Sequence, residues 1–157
     1  MQAFTLQPEL VAPSMKYFHY NQSFKLENGQ ELPDLTIAYH TWGTLNAAKN
    51  NVVWVCHALT ANSNAADWWQ GVVGEGCVIN PSTHFIVCAN ILGSCYGTTG
   101  PMSVNPQTDQ PWYHEFPLMR PISQKAASAH KIPASAPDSV IAHGVPIPNI
   151  RAGIAMV

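Results

Sequence analysis

The chain has 157 residues, enough for one domain; 46% are hydrophobic, only 10% are charged, and the formal net charge is −2. It has no lysine- and arginine-rich patch that would indicate a nucleic acid partner, and no apolar run near the ~20 residues that span a bilayer. The first 14 residues contain Glu9 and no basic residue, unlike a secretory signal, so we expect a cytoplasmic protein.

The first predicted elements form an antiparallel hairpin. Residues 17–26 alternate loosely between apolar and polar types, which predicts a strand. Asn28-Gly29 is a typical hairpin turn. The β-branched and aromatic residues from Leu35 to Trp42 predict the return strand.

Two short apolar runs, residues 52–56 and 85–89, predict strands that are buried on both faces, as in a parallel sheet. Parallel strands need a crossover, and the 28 residues between the runs leave room for one, with a helix predicted over residues 67–73. The pattern therefore favours an α/β fold. Cys56 and Cys88 lie in these runs and are predicted to be small buried thiols.

The last 40 residues differ in composition from the rest of the chain. All 15 aromatic residues lie at or before Phe116, and five prolines fall in residues 118–157. The net charge also changes from −5 over residues 1–117 to +3 over residues 118–157. Because prolines interrupt helices and strands, we predict that residues 118–157 form an irregular tail.

The motif His57-Ala58-Leu59-Thr60 directly follows the first buried run. In open α/β sheets, ligands bind outside the carboxyl ends of the strands. A loop of small residues at that place can direct backbone N–H groups towards an oxyanion. The alternative is a plain strand-exit loop that contains a hydrogen-bonded histidine.

A glycine-rich loop, Asn90 to Pro101, follows the second buried run and contains three glycines, two threonines and one serine. Glycine permits close backbone approach, and hydroxyl groups supply donors, so the loop is predicted to form an active-site rim or bind a phosphate. It lacks the Gly-Lys-Ser/Thr of a phosphate loop. The alternative is a tight loop packed against its neighbours.

The remaining motifs indicate structure more than chemistry. Asp67-Trp68-Trp69 is predicted to anchor the edge of the core, and Glu75, between two glycines, has no identifiable partner for general-base catalysis. The seven histidines show neither HxH nor HExxH spacing, which argues against a metal site.

Several of these motifs, taken in order, resemble the N-terminal portion of the homoserine O-acetyltransferase family of α/β-hydrolase-fold acyltransferases. The glycine-rich loop is the most specific of them, and the resemblance extends over about residues 15–118. The matching segments are residues 35–46, 57–60, 67–69, 80–85, 90–101 and 116–117. The resemblance implies an incomplete α/β-hydrolase sheet in residues 15–117, with an antiparallel hairpin followed by parallel strands, and a tail in 118–157 that is foreign to the family.

The family resemblance implies acetyl transfer from acetyl-CoA to L-homoserine in methionine biosynthesis, through an acyl-serine intermediate and without a bound cofactor. It also implies a homodimer for the full-length enzyme. By position, the backbone N–H of Leu59 becomes the candidate oxyanion donor. The implied substrate-pocket residues are His57, Ala58, Thr60, Gly93, Ser94, Cys95, Gly97 and Thr98.

The family's Gly-x-Ser-x-Gly nucleophile motif does not occur among the 157 residues, and His130, His143 and Asp138 do not match the positions of its catalytic partners. We therefore expect no catalytic residues and no activity in this chain alone. A frameshift, misassembly or truncation near residue 118 is the hypothesis for the change in composition. Two alternatives remain: a binding module that pairs with an intact subunit, and a hydrolase that uses Cys95 as its nucleophile.

Overall fold

The computed structural model describes residues 13–118 and one short strand near the end of the chain. None of the helices in this part of the chain has the length and apolar character that crossing a bilayer demands. In chain order the elements are β1 (Lys16–Tyr20), β2 (Phe24–Lys25), β3 (Glu31–Leu32), β4 (Leu35–Trp42), β5 (Val52–Cys56), α1 (Ala65–Trp68), β6 (Phe85–Ala89), β7 (Val104–Asn105), β8 (Gln110–Pro111), a 3-10 turn (Tyr113–Glu115) and β9 (Ile154–Ala155).

The main sheet has the strand order β1-β4-β6-β5-β9. Strand β4 pairs antiparallel with β1 and β6, whereas β5 pairs parallel with β6 and, through its last two residues, with β9. The predicted arrangement, an antiparallel start followed by parallel strands, is confirmed. The carboxyl ends of β5 and β6 therefore lie at the same edge of the sheet, and both predicted motifs follow them.

The centre of the sheet, at β6, is buried on both faces, as the apolar run predicts. Neighbouring residues of β6 point to opposite sides: Ile86 and Cys88 belong to one hydrophobic cluster, and Val87 and Ala89 to the other. The strands predicted at residues 35–42, 52–56 and 85–89 are confirmed at these bounds.

The single strand predicted for residues 17–26 is wrong. The chain turns after β1, which pairs with β4, and residues 24–25 form a separate small hairpin with β3. The Asn28-Gly29 turn closes this second hairpin, with Gly29 at a φ of +85°. The break allows Phe24, Leu26 and Leu32 to be buried in the core, which one continuous edge strand would prevent.

The helix predicted over residues 67–73 is shorter and begins earlier. Helix α1 spans Ala65–Trp68, with Ala65 fully buried. Gly71 follows with a φ of +80°, a backbone conformation that a right-handed helix cannot contain, and Val73 then forms an isolated bridge with Ile79. The crossover between the parallel strands is therefore mostly turns.

The division of the chain at residue 117 stays a prediction. Of the predicted irregular tail, the structure describes Leu118 and the two-residue strand β9, which had no counterpart in the sequence analysis. The rest of residues 118–157 lies outside the described residues.

Candidate functional site

His57, the first residue after β5, is buried and links the two predicted loops. Its Nε2 accepts a hydrogen bond from the backbone N–H of Ile91 at 3.1 Å, so the proton must be on Nδ1, which donates to the Ala58 carbonyl at 2.8 Å. Both ring nitrogens are thus used by the backbone. His57 holds the loop after β5 against the loop after β6, as the structural alternative for this motif predicted.

Leu59 lies at the tip of the same loop. Its side chain is 95% exposed, and the neighbouring turn is closed by the Ala61 N–H, which donates to the Ala58 carbonyl at 3.0 Å. Within residues 13–118, no hydrogen bond occupies the Leu59 N–H. The loop therefore presents an uncommitted backbone donor at the carboxyl edge of the sheet, where a ligand of an α/β fold binds.

The glycine-rich loop packs closely against β4. A Cβ on Gly97, which has a φ of +85°, would lie 3.2 Å from both the Ala38 Cβ and the Tyr17 Cε1. The Thr98 hydroxyl accepts a hydrogen bond from the Ala38 N–H at 2.9 Å, and Thr99 does the same for Thr36 at 2.7 Å. These hydroxyl groups thus accept hydrogen bonds from the backbone N–H groups of β4 that extend beyond its pairing with β6. Thr98 is buried.

The two predicted motifs come together at one edge of the sheet. Besides the contact between His57 and Ile91, the Tyr96 hydroxyl donates to the Thr60 carbonyl at 3.4 Å. Of the eight pocket candidates, His57 and Thr98 are buried; Ala58, Gly93 and Ser94 are half-buried; Thr60, Cys95 and Gly97 are exposed.

Other predicted features lie elsewhere and have structural partners. Glu75 is exposed and accepts a hydrogen bond from the Ser82 hydroxyl at 2.5 Å. Trp68 and Trp69 stack with ring centroids 5.6 Å apart and pack on the edge of a core cluster. Among the described residues, no group of histidine, cysteine and acidic side chains could hold a metal ion.

Cys95 stands in a Gly-x-Cys-x-Gly sequence, Gly93 to Gly97, which has the spacing of a nucleophile elbow. The geometry differs from an elbow in three ways. Within residues 13–118, Cys95 is absent from the residues with positive φ, no helix lies between it and β7, and no hydrogen bond joins it to a histidine. In the described part of the chain, the exposed thiol thus has neither the strained turn nor the adjacent base that activates a nucleophile.

A buried polar network that sequence reasoning missed lies beneath the two loops. Asn90, fully buried, donates from Nδ2 to the Ser63 hydroxyl at 3.0 Å and to the Tyr96 carbonyl at 2.7 Å. Ser63, also fully buried, lies 2.8 Å from Nδ1 of His40 on β4. Burial lowers the pKa of His40, which favours the neutral ring that can accept this hydrogen bond.

The prediction that Cys56 is buried is wrong, whereas that for Cys88 is confirmed. Cys56 is the last residue of β5 and is exposed at the end of the strand, although partial burial still raises its pKa. Full burial, with a smaller effect of the neighbouring Cys56, raises the pKa of Cys88 to about 12.

Thiol labelling at pH 8 is expected to separate these cysteines. A pKa of about 12 leaves Cys88 thiolate at roughly one part in ten thousand, and only the thiolate reacts. Cys88 should therefore be modified only after urea unfolding, whereas exposed Cys95 should react in the native chain. Peptide mapping by mass spectrometry assigns each site, and native labelling of Cys88 as fast as that of Cys95 would contradict the described packing.

The chain is 49% identical over 111 residues to the homoserine O-acetyltransferase of Chlorobium luteolum, and 53% identical over 108 residues to that of Chlorobaculum tepidum. These matches cover 71% and 69% of this chain but 31% and 30% of the relatives. The chain thus spans less than a third of the length of these curated relatives.

Solved structures give the same fold. A crystal structure of homoserine O-acetyltransferase from Bacillus anthracis has a TM-score of 0.64 and 27% identity, covering 72% of this chain and 35% of that chain. A variant of the esterase E22 has a TM-score of 0.66 and 26% identity, with 72% and 36% coverage. No protein-family model matches the chain. The described sheet is therefore part of an α/β-hydrolase sheet.

Proposed function

We propose an acyltransferase function for this chain, which belongs by sequence to the homoserine O-acetyltransferases over 71% of its length. Its role is to supply the first part of the catalytic sheet and one donor of the oxyanion hole. The reaction is the transfer of an acetyl group from acetyl-CoA, a substrate, to the hydroxyl of L-homoserine. We extend the proposal to methionine biosynthesis in the cytoplasm and to a homodimer of the full-length enzyme.

The backbone N–H of Leu59 is the observation that supports this proposal most directly. It is uncommitted within residues 13–118, and it belongs to a loop that His57 fastens to the neighbouring strand end. Attack on a thioester carbonyl turns its oxygen into an oxyanion, which a backbone donor stabilises without reorganising. A rigid loop at the carboxyl edge of the sheet suits that task.

The remaining chemistry requires a nucleophile and its activating partners. A serine hydroxyl attacks the thioester, its proton passes to a base, and CoA leaves; homoserine then accepts the acetyl group from the acyl-enzyme. No Gly-x-Ser-x-Gly serine occurs among the 157 residues. The chain alone is therefore proposed to be inactive, with its residues serving only oxyanion binding and the wall of the pocket.

The proposal is tested by comparing this chain with a chimera in which its residues 15–117 replace the matched segment of the Chlorobaculum tepidum relative. We expect CoA release from acetyl-CoA and L-homoserine with the chimera and none with the chain alone. A folded chimera without transfer would contradict the proposal. Turnover by the chain alone that Cys95→Ala abolishes would instead support the cysteine nucleophile.

A second candidate function is that of a non-catalytic module that pairs with an intact subunit. The edge of the sheet at β5 favours it: β9 covers only Val55 and Cys56, so residues 52–54 present an edge without a paired strand in the described part of the chain. Such edges pair with strands of other chains. Co-purification with a full-length relative would support this function, and absence of any complex at micromolar concentrations would exclude it.

A further inference from the structure

The loop that carries Leu59 is fastened at both of its ends. At the first end, His57 accepts the Ile91 N–H, as described above. At the other end, the fully buried Ser63 is held by Asn90, with 3.0 Å between the Asn90 Nδ2 and the Ser63 Oγ. The buried residues His57 and Ser63 therefore fix the position of the exposed tip that lies between them.

Asn90 joins three parts of the fold at once. Its backbone N–H donates to the Ala38 carbonyl of β4 at 2.9 Å, which fixes the residue to the sheet. The two protons of its side-chain amide go to different loops, one to the Ser63 hydroxyl and the other, at 2.7 Å, to the Tyr96 carbonyl in the glycine-rich loop. One side chain thus sets the separation between the two loops.

The link continues from Ser63 into the sheet. Because the Ser63 oxygen accepts from Asn90, its own hydroxyl proton is available for Nδ1 of His40, 2.8 Å away. His40 lies on β4 and stacks on Trp42 with ring centroids 5.8 Å apart. The tip of the loop is therefore connected to a rigid central strand through directed hydrogen bonds.

A buried side-chain amide at position 90 destabilises the fold unless the hydrogen bonds that it donates compensate for its lost hydration. The Asn90 Oδ1 is buried and has no hydrogen-bond partner among the described residues, so it loses hydration without gaining a replacement. A leucine would fill a similar space without that cost but would leave the loops unconnected. The amide is thus better explained by its two donors than by packing.

We propose that Asn90 is a positioning residue: through Ser63 and the glycine-rich loop, its side-chain amide holds the backbone N–H of Leu59 in a fixed direction. The functional importance of this positioning rests on the proposed role of the Leu59 N–H as an oxyanion donor. Its test requires no turnover, however, so the two can fail separately.

The test measures ¹⁵N relaxation and amide exchange in the full 157-residue chain and in Asn90→Leu and Ser63→Ala. In the parent, we expect a Leu59 N–H order parameter of about 0.85, falling below about 0.6 in both variants. The amides of Ala61 and Ile91, which are hydrogen-bonded in the two loops, should exchange at least about tenfold faster, while those of β4 change little.

Two further variants keep the test specific. Ser63→Thr retains the hydroxyl and should keep the Leu59 order parameter near the parent value. Ser23→Ala removes a side-chain hydrogen bond of similar length, 2.7 Å to Glu31 in the separate hairpin of β2 and β3, and should leave both loops unchanged. If Asn90→Leu does not fold, the Leu59 order parameter in Ser63→Ala serves as the test. An unchanged Leu59 order parameter in folded Ser63→Ala, or equal acceleration of loop and β4 exchange, would overturn the proposal.

Discussion

Replacing Gly43 with alanine is expected to lower the free energy of unfolding by about 4 kcal/mol or more, which is among the largest effects of a single substitution. Gly43 follows β4 with a φ of +77°. A Cβ there would overlap the His84 carbonyl oxygen and lie 2.5 Å from that of Pro81. Both atoms belong to the backbone of the turn before β6, so neither can move without displacing that strand.

Gly29→Ala provides the matched control. Gly29 has a similar φ of +85°, but a Cβ on it would meet no atom within 4 Å. Only the cost of left-handed backbone remains, roughly 1–2 kcal/mol. Urea unfolding followed by tryptophan fluorescence compares the two variants. Equal losses of stability would show that the turn at Gly43 is not as close to residues 81–84 as described.

The buried strands were predictable because each one is a short run of consecutive apolar residues. Val52 to Cys56 and Phe85 to Ala89 are apolar throughout, and a strand buried on both faces requires that pattern. The antiparallel pairing of β1 with β4 was predicted, but the break after Tyr20 was not, because it depends on which core position Phe24 can reach. The exposure of Cys56 likewise depends on what packs against the end of β5, which an apolar run does not indicate.

The candidate site was predictable in part. The strand ends and the two loops that follow them could be placed from sequence, and the structure brings these loops together at one edge. The His57 Nε2 and the Thr98 hydroxyl accept from backbone N–H groups that are distant in sequence, those of Ile91 and Ala38, so these roles could not be predicted from the motifs. Asn90 was missed for the same reason: a buried amide is recognised by its tertiary contacts.

In the active chimera described above, Leu59→Pro is expected to lower kcat by about 10²–10³-fold, which corresponds to about 2.7–4 kcal/mol of transition-state stabilisation. Proline removes the backbone N–H and leaves the carbonyl in place. Leu59 does not have a positive φ, so its backbone has the sign of φ that a proline ring requires. Its side chain is exposed, so the substitution removes no packing from the core.

Leu59→Ala is the matched comparison, because it removes the same exposed side chain but keeps the N–H. Thermal unfolding of both variants shows whether either has lost its fold. A fall in kcat with KM nearly unchanged would indicate a contact made chiefly in the transition state.

We propose that this chain contributes the oxyanion donor of an acetyltransferase, and the direct test is the ratio of kcat between Leu59→Ala and Leu59→Pro in the chimera. CoA release from acetyl-CoA with saturating L-homoserine gives both values. If the Leu59 N–H stabilises the oxyanion, the alanine variant is faster by about 10²-fold or more. Equal rates in two folded variants would contradict it.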